Sequence, residues 1–121
     1  MRSNNAPLVT NAVMNTTINS PAIQLDQIIG YAIQAVYTGT PTGTLKLQAS
    51  NDPVKLAYDV NPQVPINWTD IADSDFTVTS AGIYTWNVTD VFYTFVRLVY
   101  LDSSGGTSTA VLNANINFKG V

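Results

Sequence analysis

Apolar and polar side chains alternate along most of this chain, and no segment has the spacing of three to four residues at which a helix buries its apolar side chains. In the segment TLKLQAS, Leu45 and Leu47 share one face and the polar residues share the other. The closing segment, TSTAVLNANINFKG, alternates in the same way. This pattern is typical of strands that bury one face, so the chain is predicted to be all-β.

Turn sequences rich in Gly, Pro, Asp and Ser, such as GTPTG at 39–43 and DSSGG at 102–106, separate the alternating segments. About eight short strands at this spacing predict a single antiparallel β-sandwich, jelly-roll-like in topology. The core is predicted from the inward positions of the strands and from the two tryptophans. These core residues are Ile33, Leu45, Leu47, Trp68, Trp86, Val96, Leu98, Leu112 and Ile116.

The length of 121 residues corresponds to one domain. Residues 1–20 are polar and are predicted to form an N-terminal arm or a first, irregular strand. Residues 21–121 are predicted to form the sandwich, interrupted by an inserted loop at 53–66. Pro53, Pro62 and Pro65 argue against a central strand within that loop.

The chain is 45% hydrophobic but only 11% charged, whereas about 25% is typical of soluble domains. A surface with so few charges is poorly solvated, which indicates a subunit whose faces are partly covered by partners. The net charge of −3 argues against nucleic acid, which requires a basic face. No run approaches the ~18 apolar residues of a membrane span, and the first residues lack the apolar centre of a signal peptide. Synthesis in the cytoplasm is expected.

Catalytic and metal-binding side chains are scarce. The sequence contains no His, Cys or Glu, so the usual general bases and nucleophiles are missing and no enzymatic activity or cofactor is predicted. Asp70, Asp73 and Asp75 offer oxygen ligands and are weak candidates for a calcium site. Their spacing lacks the glycine and bidentate Glu of a dedicated calcium loop, and a solvated turn is the favoured interpretation.

Three further features have structural and functional interpretations. Aromatic residues on alternating strand positions, Trp68 and Trp86 among them, could form a stacking platform for sugar, but core or subunit contacts are favoured. Arg97 interrupts an apolar strand and is expected to pair with an Asp such as Asp90 or Asp70. One face of the last strand carries a row of asparagines, either solvated or facing a neighbouring subunit: Asn113, Asn115 and Asn117.

Four stretches occur in an order that resembles a recurrent group of small structural proteins of tailed phages. They are AIQAVYTGTPTGTLKLQASND, INWTDI, GIYTWNVTDVFYTFVRLVY and LNANINFKG, and they cover most of the chain. The resemblance implies a β-sandwich or jelly-roll module on a capsid surface, a head fibre or a tail. It also implies partners among other virion proteins, such as the major capsid or tail protein. The SND, NWT and VRL motifs are more weakly similar to discoidin-type jelly rolls, which bind sugars or lipids.

The chain departs from the phage group between SND and NWTD, where the usual link is a few residues. Here the link is the fourteen-residue segment PVKLAYDVNPQVPI, at 53–66. Val54, Leu56 and Tyr58 make this segment apolar for a loop, and insertions in loops are where specific contacts are readily added. These three residues are therefore predicted to contact a partner.

The sequence thus predicts a non-enzymatic structural protein of a bacteriophage virion that self-associates and docks on a capsid or tail, in a decoration, auxiliary capsid or fibre-base role. The alternative is a carbohydrate-binding module for attachment to the host surface. That alternative requires an exposed aromatic pair beside Asp or Asn in a concave patch, with a glycan as the partner.

Overall fold

A computed structural model of the chain describes residues 2–25, 28–53 and 64–120. These residues form ten strands and no helix. The strands are β1 (Arg2–Val13), β2 (Ile18–Asn19), β3 (Ile23–Gln24), β4 (Ile28–Tyr37), β5 (Gly43–Ser50), β6 (Thr69–Asp70), β7 (Phe76–Val78), β8 (Gly82–Thr89), β9 (Phe95–Asp102) and β10 (Val111–Gly120). The described chain accordingly contains no helix long and apolar enough to cross a membrane.

The strands form two antiparallel sheets that pack face to face. The first sheet has the order β1-β10-β4-β8, and the second has the order β2-β9-β5-β6. The short strands β2 and β3 both pair with β9, and together they occupy one strand position in the second sheet. In the same way β6 and β7 both pair with β5 and together occupy one strand position. When β2 with β3 and β6 with β7 are each counted once, the chain has eight strand positions, numbered in chain order. The two sheets then have the orders 1-8-3-6 and 2-7-4-5, which are those of a jelly roll, a fold of two Greek keys. The predicted all-β sandwich is confirmed.

The first strand, β1, lies at an edge of the first sheet and pairs with β10. Its register shifts on both sides of Val9, and Asn11 has a positive φ of 50°. β1 already begins at Arg2 because β10 provides hydrogen-bonding partners for the polar segment that opens the chain. The division into 1–20 and 21–121 stays a prediction, although β1 lies within the first sheet.

The core lies between the sheets and contains the inward-facing side chains of both. Eight of the nine residues predicted for the core are at most 6% exposed: Ile33, Leu45, Leu47, Trp86, Val96, Leu98, Leu112 and Ile116. All of them occupy positions that alternate with outward-facing residues along β4, β5, β8, β9 and β10, as the period of two requires.

Trp68 does not lie in the core. It is half-buried, and its ring centroid is 4.3 Å from Cζ of Arg97. The alternation that would point this side chain inward does not extend to it, because β6 consists only of Thr69 and Asp70. Trp68 therefore covers a polar side chain instead of filling the space between the sheets.

Ser74, in the turn between β6 and β7, links the two sheets through buried hydrogen bonds. Its hydroxyl accepts the N–H of Leu47 at 3.1 Å and donates to the carbonyl of Ile71 at 2.7 Å. Its own carbonyl accepts Nε1–H of Trp86 at 2.7 Å. Since Leu47 belongs to the second sheet and Trp86 to the first, one small residue holds both sheets at this side of the sandwich.

Candidate functional site

Asp52 closes the base of the inserted segment. Its Oδ2 accepts the backbone N–H of Ile66 at 2.6 Å and that of Asn67 at 3.0 Å, and its Oδ1 accepts Nδ2–H of Asn67 at 2.8 Å. The Asn67 side-chain and backbone donors, with that of Ile66, hold the pKa of Asp52 below its usual range. The two ends of the insertion are therefore joined, although 14 residues separate Asp52 from Ile66.

The loop between β8 and β9 is attached to the same place. The hydroxyl of Thr94 lies 2.6 Å from the carbonyl oxygen of Asp52 and 3.0 Å from that of Ser50, and the N–H of Thr94 also donates to Ser50. These contacts bring the β8–β9 loop beside the base of the insertion. We call this end of the sandwich, formed by residues 51–53, 64–67 and 90–94, the insertion end.

Large apolar side chains project from the insertion end into solvent. Phe92 is 90% exposed, Ile66 78% and Val64 72%. Single exposed apolar residues are ordinary, but three that share one end of a small domain indicate a contact surface. The predicted contact residues Val54, Leu56 and Tyr58 lie outside the described residues, and Val64 and Ile66 belong to the same predicted loop.

An open depression of about 470 Å³ lies between these two loops, lined by Ala49, Ser50, Asn51, Asp52, Asn67, Thr69 and Tyr93. Its polar groups largely bond to one another. The hydroxyl of Tyr93 bonds to that of Tyr31, and burial raises the pKa of both phenols. The depression thus presents neutral hydroxyls, amides and one carboxylate already engaged by three donors, an arrangement without a strong base or nucleophile.

The outward side of the first sheet forms a second surface, which we call the amide face. It consists of three rows across β10, β4 and β8, namely Asn113–Val36–Ile83, Asn115–Gln34–Thr85 and Asn117–Ala32–Asn87. None of these nine side chains is charged. The predicted row of asparagines therefore lies on the outside of the sheet, together with amides and small apolar residues of the neighbouring strands.

Two asparagines of the amide face are held by β1. Oδ1 of Asn113 accepts the backbone N–H of Asn11 at 2.8 Å, and Nδ2 of Asn115 donates to Oδ1 of Asn5 at 3.3 Å. Towards the insertion end the small residues Gly30 and Ala32 leave a shallow depression of about 350 Å³ in this face. Asn113 and Asn115 are consequently held in place by β1, and the charged residues Asp90 and Lys119 also line the depression.

The two tryptophans do not form a platform for sugar. Trp86 is buried in the core, whereas Trp68 lies outside it, against the second sheet. The guanidinium of Arg97 covers one face of the Trp68 ring, in a cation–π contact. Phe76 and Tyr84 stack with ring centroids 4.1 Å apart and help to close the side of the sandwich. The exposed tryptophan pair that a carbohydrate-binding module was expected to show is therefore not formed.

Within the described residues, Arg97 is connected to an aspartate through Gln48. Its Nε and Nη2 both donate to Oε1 of Gln48, at 2.9 and 2.7 Å. Nε2 of Gln48 donates in turn to Oδ1 of Asp70 at 2.8 Å, and Nζ of Lys46 lies 2.9 Å from Oδ2 of the same carboxylate. The expected direct pair of Arg97 with Asp90 or Asp70 is not formed, and Gln48 accepts the guanidinium instead because it lies opposite Arg97 in the β5–β9 register.

The weak calcium candidates are not brought together as a ligand set. The carboxylate of Asp70 is occupied by Gln48 and Lys46, which hold its pKa below the usual range. Asp73 and Asp75 are exposed, and Asp73 has a positive φ of 61°, as is common for Asp in a tight turn. No group of three or more carboxylates that could hold a metal ion occurs in the described part of the chain.

The sequence pattern does not reveal contacts between residues that are far apart in the chain. The sequence does not show that residues 66 and 67 engage Asp52. Phe92 belongs to an apolar run of the sequence, but β9 begins only at Phe95 and leaves Phe92 in the exposed loop.

Comparison with known proteins was made through both sequence and structure. No protein-family model matches the sequence, and no curated protein is found as a relative. Several solved structures share the fold over nearly the whole chain. The SPBc2 prophage-derived protein YomS matches with a TM-score of 0.57 and 9% identity, covering 97% of this chain and 92% of its own.

Two further structures match comparably. A subunit of Bacillus endospore appendages, described as disulfide-linked pili, has a TM-score of 0.53 and 15% identity, over 99% of this chain and 88% of its own. PirA has a TM-score of 0.52 and 15% identity, over 97% and 93%. At such low identities these likenesses show a shared fold, which here is the eight-place jelly roll.

Proposed function

We propose that this chain is a non-enzymatic structural protein of a bacteriophage virion, which associates with copies of itself and docks on a capsid or tail. The exposed apolar side chains of the insertion end are the observation that carries this proposal. Phe92, Ile66 and Val64 are each more than 70% exposed on loops that Asp52 and Thr94 fasten to the sandwich. An apolar surface on anchored loops is suited to burial against a partner, because loops that are already ordered lose little conformational entropy on binding.

The insertion itself fits the same role. We propose that Val54, Leu56 and Tyr58 of the insertion contact the capsid or tail protein. The asparagines of the amide face that lie along β10, Asn113, Asn115 and Asn117, would add contacts between copies. Uncharged amides can hydrogen-bond to a neighbour with a smaller desolvation cost than charged groups incur.

Composition and fold give further support. The sequence lacks His, Cys and Glu, and its low charged fraction suits a subunit covered by neighbours. Proteins of this fold include one that is derived from a prophage and one that builds pili, according to their descriptions. We propose a decoration, auxiliary capsid or fibre-base position in the virion, reached after synthesis in the host cytoplasm.

Incorporation into particles tests the proposal. Virions of the phage that encodes the chain would be purified and the copies per particle counted by quantitative mass spectrometry, for the wild type and for a double variant, Ile66→Ser with Phe92→Ser. The control is Val13→Ser, which changes a side chain that is 45% exposed and lies at the other end of the sandwich.

The wild type and the control are expected in a fixed, symmetric copy number, and the double variant at roughly one tenth of it or less, as for the loss of two contact anchors. Absence of the wild-type protein from purified virions would contradict the proposed function. Equal incorporation of the double variant would show that the insertion end is not the docking surface.

A further inference from the structure

The outer edge of β8 is an unprotected template for strand pairing. β8 ends the first sheet, and no described strand pairs with its far side. It runs for eight residues, Gly82–Thr89, with no charge and no proline, and it pairs with β4 without a register shift. Long, regular, uncharged edges are those that recruit another strand.

The other edges carry the features that discourage pairing. β1 contains Pro7, which lacks an N–H, and its register shifts twice. On the second sheet, one edge is divided into the two-residue strands β2 and β3, and the other into β6 and β7, of two and three residues. The acidic residues Asp70, Asp73 and Asp75 lie in or between β6 and β7. β8 is thus the unguarded edge among the described strands.

The alternation of backbone directions identifies the unpaired groups of β8. The N–H of Thr38 donates to β10, whereas the carbonyl of Ile29 accepts from the chain that follows β8. Residues of β4 therefore bond alternately to the two sides, and the odd-numbered ones face β8. Their partners are Gly82, Tyr84, Trp86 and Val88. The remaining residues of β8 direct their N–H and C=O groups outward, namely Ile83, Thr85, Asn87 and Thr89.

We propose that β8 pairs antiparallel with β8 of a second copy across a two-fold axis at Trp86, which joins two first sheets into one continuous sheet of eight strands. This inference rests on the self-association in the proposed function and specifies the surface that carries it. In this register Ile83 lies opposite Thr89 of the second copy, and Thr85 lies opposite Asn87. All four outward N–H groups and all four outward C=O groups of each strand then find partners.

The side chains fit this register. On the outer face, the pairs Ile83–Thr89 and Thr85–Asn87 contain no charged side chain, so no like charges repel each other. All four of these side chains are exposed in the single chain and can contact the second copy. On the inner side, Tyr84 lies opposite Val88 of the second copy. Tyr84 stacks on Phe76 but is still 37% exposed, so Val88 of the second copy would cover part of the ring that now meets water. The amide face then continues across the two-fold axis.

Amide hydrogen exchange of the wild-type protein, followed by NMR or mass spectrometry over a concentration series, tests the pairing. The amides of Ile83, Thr85, Asn87 and Thr89 are expected to exchange at least about tenfold more slowly at high concentration than at high dilution. The neighbouring amides that bond to β4 provide the internal reference, because their protection should not depend on concentration.

Two substitutions at one position add an independent readout. Thr85→Pro removes an outward N–H that β4 does not use, and proline is tolerated at such edge positions. Thr85→Val keeps the N–H and the shape of the side chain. The dimer of Thr85→Pro is expected to dissociate at a concentration at least about tenfold higher than the wild type, because two hydrogen bonds are lost per dimer. Thr85→Val should dissociate as the wild type does.

The outcomes separate this inference from the proposed function. Self-association without protection of the four outward amides would overturn pairing through β8 and leave self-association intact. A chain that stays monomeric at every concentration would overturn both. If Thr85→Pro does not fold, exchange in the wild type alone decides, and equal dissociation of a folded Thr85→Pro and the wild type would overturn the pairing.

Discussion

Removing the hydroxyl of Ser74 is expected to weaken the sandwich far more than the size of the change suggests. Ser74 is 5% exposed, and its hydroxyl is the acceptor for the N–H of Leu47, a fully buried residue of β5. In Ser74→Ala this N–H has no acceptor and no access to water. The side chain also loses its bond to the carbonyl of Ile71. The link from the Ser74 carbonyl to Trp86 uses the backbone and is retained.

The expected loss follows from these two bonds. A buried donor without a partner costs about 1–3 kcal/mol, and a neutral hydrogen bond contributes about 1 kcal/mol net, so the free energy of unfolding should fall by roughly 2–4 kcal/mol. For a domain of this size, 1 kcal/mol corresponds to about 3–5 °C in the melting temperature. Ser74→Ala should therefore melt about 6–20 °C below the wild type.

Urea unfolding followed by tryptophan fluorescence measures the difference, with calorimetry as a second method. Ser80→Ala is the matched control, because Ser80 is exposed and lies a few residues further along the chain. The control should stay within about 0.5 kcal/mol of the wild type. A Ser74→Ala variant as stable as the control would show that the Ser74 hydroxyl does not stabilise the sandwich through Leu47.

Three other substitutions test separate contacts. Gly43→Ala should cost about 2 kcal/mol or more in urea unfolding, because the added methyl group meets the backbone carbonyl of Leu101; unchanged stability would contradict that close approach. Because hydrogen bonds lower the pKa of Asp52, its contribution to stability is present above the usual carboxyl pKa and is lost as pH falls through the lowered value. Asp52→Asn should therefore lose less stability than the wild type between neutral and acid pH, and equal losses would contradict the assignment. Arg97→Lys loses the two-pronged donation and the stack on Trp68, so it should cost about 1 kcal/mol and shift the fluorescence of that ring; an unaltered spectrum would contradict the contact.

The parts of the fold that could be predicted from sequence are those set by alternation within a strand. In β10, Leu112 and Ile116 face inward and Asn113 and Asn115 face outward, because burying one face of a strand requires a period of two. The same argument applies to Leu45 and Leu47 in β5 and to Ile33 in β4. Turn residues such as the glycines at 105 and 106, which both have positive φ, marked where strands end.

The remainder depends on partners that are distant in the chain. Trp68 is predicted to lie in the core, but β6 includes only Thr69 and Asp70, and the Trp68 ring instead lies against Arg97 of β9, a residue distant in the chain. For the polar start of β1 the sequence leaves an arm and an irregular strand open, and the pairing of this segment with β10 appears only in the folded chain. In the sequence, Asp52 belongs to a turn and Asn67 to the start of the next predicted strand, and the hydrogen bond between their side chains appears only in the folded chain.

Self-association in solution tests the central claim most directly. Sedimentation velocity of the purified chain, from high dilution up to about 100 μM, gives its mass as a function of concentration. The account predicts a rise from the 13.0 kDa of one chain to at least twice that value, with the amides of the outer edge of β8 becoming protected over the same range. A constant mass of one chain throughout the range would contradict it.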